Sequence, residues 1–150
     1  MSNFYDAIIV GGGPAGLSAA IYMARARFRV LVIEKEKMGG QITITSEVVN
    51  YPGVFSTNGE KLTQEMVRQA KAFGAEFLTA TVTSLDLEGD YKTVHTDHGD
   101  FVTLGVVYAA GAHPRLAGFT GESDFRGHGV AYCATCDGEF FTGKDIFVIG

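Results

Sequence analysis

Two cysteines occur in the 150-residue chain, three positions apart in Cys133-Ala134-Thr135-Cys136-Asp137-Gly138. Sulfurs at this spacing can close a small disulfide ring, and the thiolate of one can attack a bond held by the other. Such a pair can take up two electrons and hand them to another disulfide. Asp137, beside the second sulfur, can supply or accept the proton that each transfer requires. Two other uses of the pair compete, a metal site and an inert buried couple, and Asp137 beside the pair argues against the second. Structural zinc takes four ligands. The sequence has no second CxxC, and His113 and His128 fit no zinc spacing, so no metal is expected.

A second group of residues points to a nucleotide. Gly11-Gly12-Gly13-Pro14-Ala15-Gly16 has the GxGxxG spacing. Gly11 allows a tight turn, Gly13 lets backbone approach a pyrophosphate, and Gly16 lets a helix lie close to a strand. A helix starting at Pro14 would offer unpaired N–H groups and a partial positive charge to the phosphates. Glu34, 23 residues after Gly11, stands where an acid accepts hydrogen bonds from a ribose 2′-hydroxyl. A glycine-rich turn with no ligand would leave the joint placement of three glycines, a proline and an acid unexplained. The pattern does not separate FAD from NAD. Its acid argues against an NADP 2′-phosphate at this first site, because two negative groups would repel.

The elements that must position these residues follow from apolar spacing. Residues 5–10 form an apolar run that reads as a buried parallel strand. Leu17, Ala20, Ile21 and Ala24 repeat at helical spacing from Pro14 to about Arg27, and 30–33 reads as a second buried strand closed by Glu34. The first 34 residues are therefore expected to form one βαβ unit. After an irregular segment over 38–57, a helix is predicted over about 59–73, with Leu62, Met66, Ala70 and Phe73 as its apolar stripe and Gly74 just past its end. Strands are expected over 77–87, 92–96 and 101–107, joined by turns at 88–90 and 97–100, as an antiparallel meander inserted after the βαβ unit. The segment 114–126 reads as a loop at a domain boundary. A further buried strand is expected over 145–149, with Gly150 as the first glycine of another glycine-rich turn.

Composition narrows the function classes. With 46% hydrophobic residues the chain can build a core. Its 20 glycines are nearly double the usual share of about 7%. They sit beside apolar runs, as in backbone that must turn tightly or approach a ligand. A net charge of −5 argues against a nucleic-acid surface. No apolar stretch is long enough for a membrane helix. Residues 1–6 lack a cationic leader pattern, so a cytoplasmic setting is expected. In that setting a close cysteine pair suggests redox or metal chemistry before structural cross-linking.

Together, Gly11-Gly12-Gly13-Pro14-Ala15-Gly16, Met38-Gly39-Gly40-Gln41, Asn50-Tyr51-Pro52-Gly53 and Cys133-Ala134-Thr135-Cys136-Asp137-Gly138 resemble the low-molecular-weight thioredoxin reductases, in that family's order and spacing. The resemblance covers essentially the whole chain, at about half the family's length. It implies an α/β fold: a Rossmann-like, three-layer FAD-binding domain with an inserted antiparallel meander over 1–113, and over 114–150 the start of a second Rossmann-like, NADPH-type domain carrying the CxxC. It implies FAD held by Gly11, Gly12, Gly13, Pro14, Ala15 and Gly16, by the stretch from Glu34 and Lys35 to Gly39, Gly40 and Gln41, and by Asn50, with backbone contacts around Val82, Ala110 and Gly111. It implies NADPH as donor in the complete protein, thioredoxin or a similar small disulfide protein as partner, and a homodimer. Cys136 would face the flavin, Cys133 would attack the substrate disulfide and Asp137 would serve as acid/base. Phe140 and Phe141 match an aromatic pair near the family's docking surface, with ordinary core packing as the alternative. Tyr108-Ala109-Ala110-Gly111 departs mildly from the family's Ala-Thr-Gly strand end. Ferredoxin as donor, another disulfide substrate, or a non-catalytic flavin-binding fragment stay open as alternatives.

Overall fold

The computed structural model describes residues 3–149, without the side chains of Thr135 and Cys136. The chain divides into two compact units, Met1–Gly111 and Ala112–Gly150, and each is taken by itself. In the first unit, β1 (Phe4–Val10), α1 (Pro14–Arg25) and β2 (Val30–Glu34) form the expected βαβ unit. The two strands run parallel, Ala7 opposite Val30 and Val10 opposite Ile33. Their apolar runs are continuous because both faces are covered. Ile9, Val30 and Val32 pack with Ala20 and Ala24 of α1 and Ala70 of α2 (Gly59–Ala72). Ile8, Val10, Leu31 and Ile33 pack on the opposite face with Val94. Each isoleucine or valine so buried contributes roughly 1.5–3 kcal/mol.

The expected strand over 77–87 is two strands. β3 (Glu76–Thr79) pairs parallel with β2, whereas β4 (Val82–Asp86) pairs antiparallel with β5 (Lys92–Thr96). Between them Ala80 donates its N–H to the Glu34 carbonyl, and Thr81 donates its N–H to the Asp97 carboxylate. The last strand, β6 (Gly99–Tyr108), belongs to both systems, parallel to β1 and antiparallel to β5. The strand order is β3-β2-β1-β6-β5-β4. Two residues join β3 to β4, the two ends of that order. With a reach of about 3.5 Å per residue, they can do so only if the sheet curls and the meander folds over it. Leu78, Val82, Leu85 and Phe101 fill the fold's inner side against Ile8 and Ile33. The result is three layers: helices, parallel strands and meander.

The second unit is rich in turns up to Val130 and then forms a short helix, α3 (Ala134–Asp137), followed by a 3-10 turn, Gly138–Phe141. The strand expected over 145–149 is absent: the segment is irregular and Phe147 is 93% exposed. A strand needs a neighbour for its N–H and C=O groups, and among the described residues none pairs with it. Among the described residues no helix is long and apolar enough to cross a membrane.

The two long helices end alike with different residues. In α2, Gly74 (φ +99°) donates its N–H to Lys71, and Ala75 donates to Ala70. In α1, Arg27 (φ +71°) donates to Ala24, and Phe28 donates to Met23. Both are left-handed helix stops with the 6→1 and 5→2 bonds of a Schellman motif. Only Gly74 has the residue that adopts this backbone without a Cβ penalty. Arg27→Gly is expected to raise stability by about 0.5–1 kcal/mol, read as a higher urea midpoint at unchanged slope.

Candidate functional site

The site's frame is set where β1 hands over to α1. Gly11 (φ +110°) donates its N–H to the Ile33 carbonyl at 2.8 Å, tying the turn to the end of β2. A Cβ on Gly11 would collide with the carbonyl of Ala109, and one on Gly16 with the carbonyl of Gly11. The chain leaving β6 therefore lies against the turn, and Ala109 donates its N–H to Val10 at 2.8 Å. Ala110 follows in that segment, its Cα beside Gly11, and Gly111 closes the unit.

Gly13 is different in kind. It is the N-cap of α1 in extended backbone (φ −78°), and the nearest atom to a Cβ there is the Gly40 Cα at 3.8 Å. Neither the turn nor the packing requires glycine at this position, so the bare backbone is left free for something outside the chain. Pro14 opens the helix, no side chain caps it, and its first turn holds no acid. The amides of Ala15 and Gly16 are thus among the first-turn donors that a helix cannot satisfy internally. Bare backbone at Gly13 beside uncapped donors fits a phosphate group.

A second glycine loop is strapped to the first. Gly39 donates its N–H to the Gly12 carbonyl at 2.8 Å, and Gly40 lies against Gly13. Gly40 caps the 3-10 turn Gln41–Ile44, and its carbonyl accepts the Thr43 hydroxyl at 2.8 Å. Glu34, at the end of β2, holds the two loops in register. One carboxylate oxygen accepts the Gly12 N–H at 2.8 Å and the other the Lys35 N–H at 2.8 Å. The latter oxygen also accepts the Glu36 N–H at 3.3 Å, so of about four lone-pair sites on the carboxylate one is left for an outside donor such as a hydroxyl. Lys35 is exposed and pairs with Glu36 at 3.6 Å. Three contributors were not singled out from sequence. Met38 fills the space beside Gly12, the buried Thr63 of α2 stands under Gly39, and Ala109 covers Gly11. Met38 and Ala109 lie inside motifs quoted above that assign them no task, and Thr63 belongs to no residue pattern that announces a site.

Val82 packs from the meander onto the cluster holding Val10 and Ile33. Asn50 is exposed on an irregular loop whose main chain is bridged at Val48–Thr57 and Tyr51–Val54. A surface hollow of about 680 Å³ on that loop is lined by Glu47, Val49, Gly53, Val54, Phe55 and Ser56, and none of the predicted site residues lines it.

In the second unit Cys133 is disulfide-bonded, and Cys136 is the other cysteine of the sequence. The Cys133 carbonyl accepts the Asp137 N–H at 2.9 Å and so starts α3. Phe140 is 55% exposed and Phe141 half-buried. The loop before the dithiol is organised by Glu122, which is 4% exposed. Its carboxylate accepts N–H groups from Ala117 at 2.8 Å and Gly118 at 2.6 Å, and the Tyr132 hydroxyl at 2.7 Å. The Ala117 amide, with help from Tyr132 and Gly118, holds the carboxyl below the usual glutamate range, against the opposing effect of burial. The same contact pushes the Tyr132 hydroxyl up.

Comparison with known proteins gives a consistent set of matches. Residues 5–150 match the family described as pyridine nucleotide-disulphide oxidoreductase. The chain is 47% identical to a thioredoxin reductase of Peptoclostridium acidaminophilum, over 100% of this chain and 48% of that one. It is 42% identical to a thioredoxin reductase of Bacillus subtilis (strain 168), over 99% of this chain and 47% of that one. Among solved structures, thioredoxin reductase from Streptococcus pyogenes MGAS5005 superposes with a TM-score of 0.86 at 38% identity, over 94% of this chain and 46% of that one. The chain thus spans about half the length of the curated relatives it matches.

Two tests follow from this geometry. Gly16→Ala forces a Cβ into the Gly11 carbonyl and is expected to cost at least the upper end of about 1–3 kcal/mol. Gly13→Ala is expected to stay within about 0.5 kcal/mol of the parent, as at an unstrained surface position, both read by chemical denaturation. For Glu122 the lowered folded pKa means a contribution fully present above the unfolded value of about 4.3 and lost as pH falls through the folded value. Hydrogen-exchange protection at the Ala117 and Gly118 amides should therefore persist at neutral pH and fall only below about pH 4.

Proposed function

The chain belongs to the pyridine nucleotide-disulphide oxidoreductase family, and from that premise we propose that it is the N-terminal part of an FAD-dependent thioredoxin reductase. In this reading residues 1–113 bind FAD and residues 114–150 begin a nicotinamide domain that carries the redox pair. The complete protein takes electrons from NADPH and delivers them to thioredoxin or a similar small disulfide protein. The observation that carries the reading is a disulfide at Cys133 in the same chain as a glycine cradle left open at Gly13.

The chain's own residues have separable tasks. The uncapped first turn of α1 and the bare backbone of Gly13 hold the pyrophosphate, and Glu34 accepts from the ribose while keeping Gly12 in place. Gly39, Gly40 and Gln41 close the other side of the cradle. FAD, when bound, supplies two-electron transfer between the nicotinamide donor and the Cys133–Cys136 disulfide. In the reduced pair the Cys133 thiolate attacks one sulfur of the substrate disulfide, forming a mixed disulfide and releasing one substrate thiol. The Cys136 thiolate then attacks the Cys133 sulfur, releases the second substrate thiol and restores the ring. Two electrons leave the pair in each cycle, and Asp137 exchanges the accompanying protons.

The test is a visible absorption spectrum of the full-length protein. The expected result is a flavin spectrum that NADPH bleaches and oxidised thioredoxin restores, with no restoration in Cys136→Ser. A colourless protein would sink the reading. Bleaching by reduced ferredoxin but not NADPH would replace the donor, and bleaching that thioredoxin cannot reverse would replace the substrate. Gly13→Ala should fold and retain little flavin, because a Cβ there meets the pyrophosphate and not the protein.

A further inference from the structure

The second unit has an unusual centre. Among the described residues of 112–149, Glu122 is the only one that is buried. An ionised carboxylate is stable out of water only when donors converge on it, so the three donors around Glu122 define where the loop can sit. Two of them, Ala117 and Gly118, lie at the loop's start. The third, Tyr132, lies at its end, immediately before Cys133. Tyr132 is held a second time from its ring face, where the Arg126 guanidinium stands 5.4 Å from the ring centre. The next residue, Cys133, is the disulfide-bonded cysteine whose carbonyl starts α3.

We propose that Glu122 is a positioning residue for the redox pair: through the Tyr132 hydroxyl, its buried carboxylate fixes the backbone that leads into Cys133. This role rests on the reading of Cys133 and Cys136 as an exchanging pair. Its physical basis is the effective concentration of one thiol at the other. Closing the ring requires both sulfurs to be held at bonding distance, and any freedom in the residue leading into Cys133 enlarges the volume that the open thiol explores. A tether on Tyr132 reduces that volume and favours the closed disulfide. Releasing the tether lets the open dithiol gain freedom that the ring cannot match, so the disulfide becomes easier to reduce. A merely structural Glu122 would hold the loop over 112–130 and leave this equilibrium untouched.

The test uses the full-length, FAD-loaded protein equilibrated in glutathione redox buffers, with the dithiol fraction read by thiol alkylation and mass. Tyr132→Phe, which removes one oxygen, is expected to lower the equilibrium constant for disulfide formation about 3- to 10-fold, a rise in potential of about 14–30 mV. Glu122→Gln should shift it in the same direction. The double variant should go no further than the larger single effect, because both act through one contact. If Glu122→Gln fails to fold, Tyr132→Phe alone decides. A Tyr132→Phe potential equal to the parent's, or moved toward a more stable disulfide, overturns the proposal, as do additive effects in the double variant. The titration needs neither donor nor thioredoxin. A parent protein that cannot reduce thioredoxin would therefore replace the substrate of the proposed function while leaving this measurement intact.

Discussion

The contact between Gly16 and the carbonyl of Gly11 is the constraint on which the first unit depends. It lets α1 lie against the turn that leaves β1 and brings Ala20 and Ala24 down onto Ile9, Val30 and Val32. It also sets the helix start at the carboxyl ends of β1 and β2, where an α/β sheet places its ligands. The turn is closed from the far side by Ala109, so the strand that joins the parallel sheet to the meander must pass over the same point. Two missing Cβ atoms, at Gly16 and Gly11, thus couple the helix layer, the sheet and the exit of β6.

Glu34 adds a second coupling of another physical kind. Steric fit brings the glycine loops together, but their register is fixed by hydrogen bonds: the carboxylate takes the Gly12 amide, and the Gly12 carbonyl takes the Gly39 amide. A residue chosen to meet a ribose would be expected to point outward with both oxygens free. Here its oxygens accept three backbone N–H groups of the protein, those of Gly12, Lys35 and Glu36. The two loops are therefore held in shape by a side chain of the protein itself, before any ligand is present.

The two units are stabilised by opposite means. The first buries isoleucine, valine and leucine on both faces of a sheet. The second, with little apolar burial among its described residues, is arranged around a carboxylate that gathers backbone and tyrosine donors. Hydrocarbon burial is non-directional and tolerant of small shifts, whereas a hydrogen-bonded carboxylate fixes the identity and placement of each donor. Directional bonds to the residue beside Cys133 thus hold its backbone more narrowly than apolar packing would.

Much of this was legible in the chain. Apolar runs and helical spacing located β1, α1, β2 and α2, because those signals are local and repeat with the period of the element. The glycine pattern and the CxxC stand out for the same reason: each is defined by close sequence spacing. The tertiary structure decided the rest. A break between β3 and β4 has no local mark, since Ala80 and Thr81 are diverted by partners at Glu34 and Asp97. An apolar run such as 145–149 has strand propensity, but it pairs only where a neighbour presents free N–H and C=O groups. The tasks of Met38, Thr63 and Ala109 likewise arise from residues far from them in sequence, whereas that of Glu122 arises from near neighbours that only the folded loop turns toward its carboxylate. Sequence alone determined which segments could be strand, helix, turn or redox pair. Which partners completed them was a matter of three-dimensional packing, because steric exclusion and hydrogen-bond satisfaction are settled between atoms that only the fold brings together.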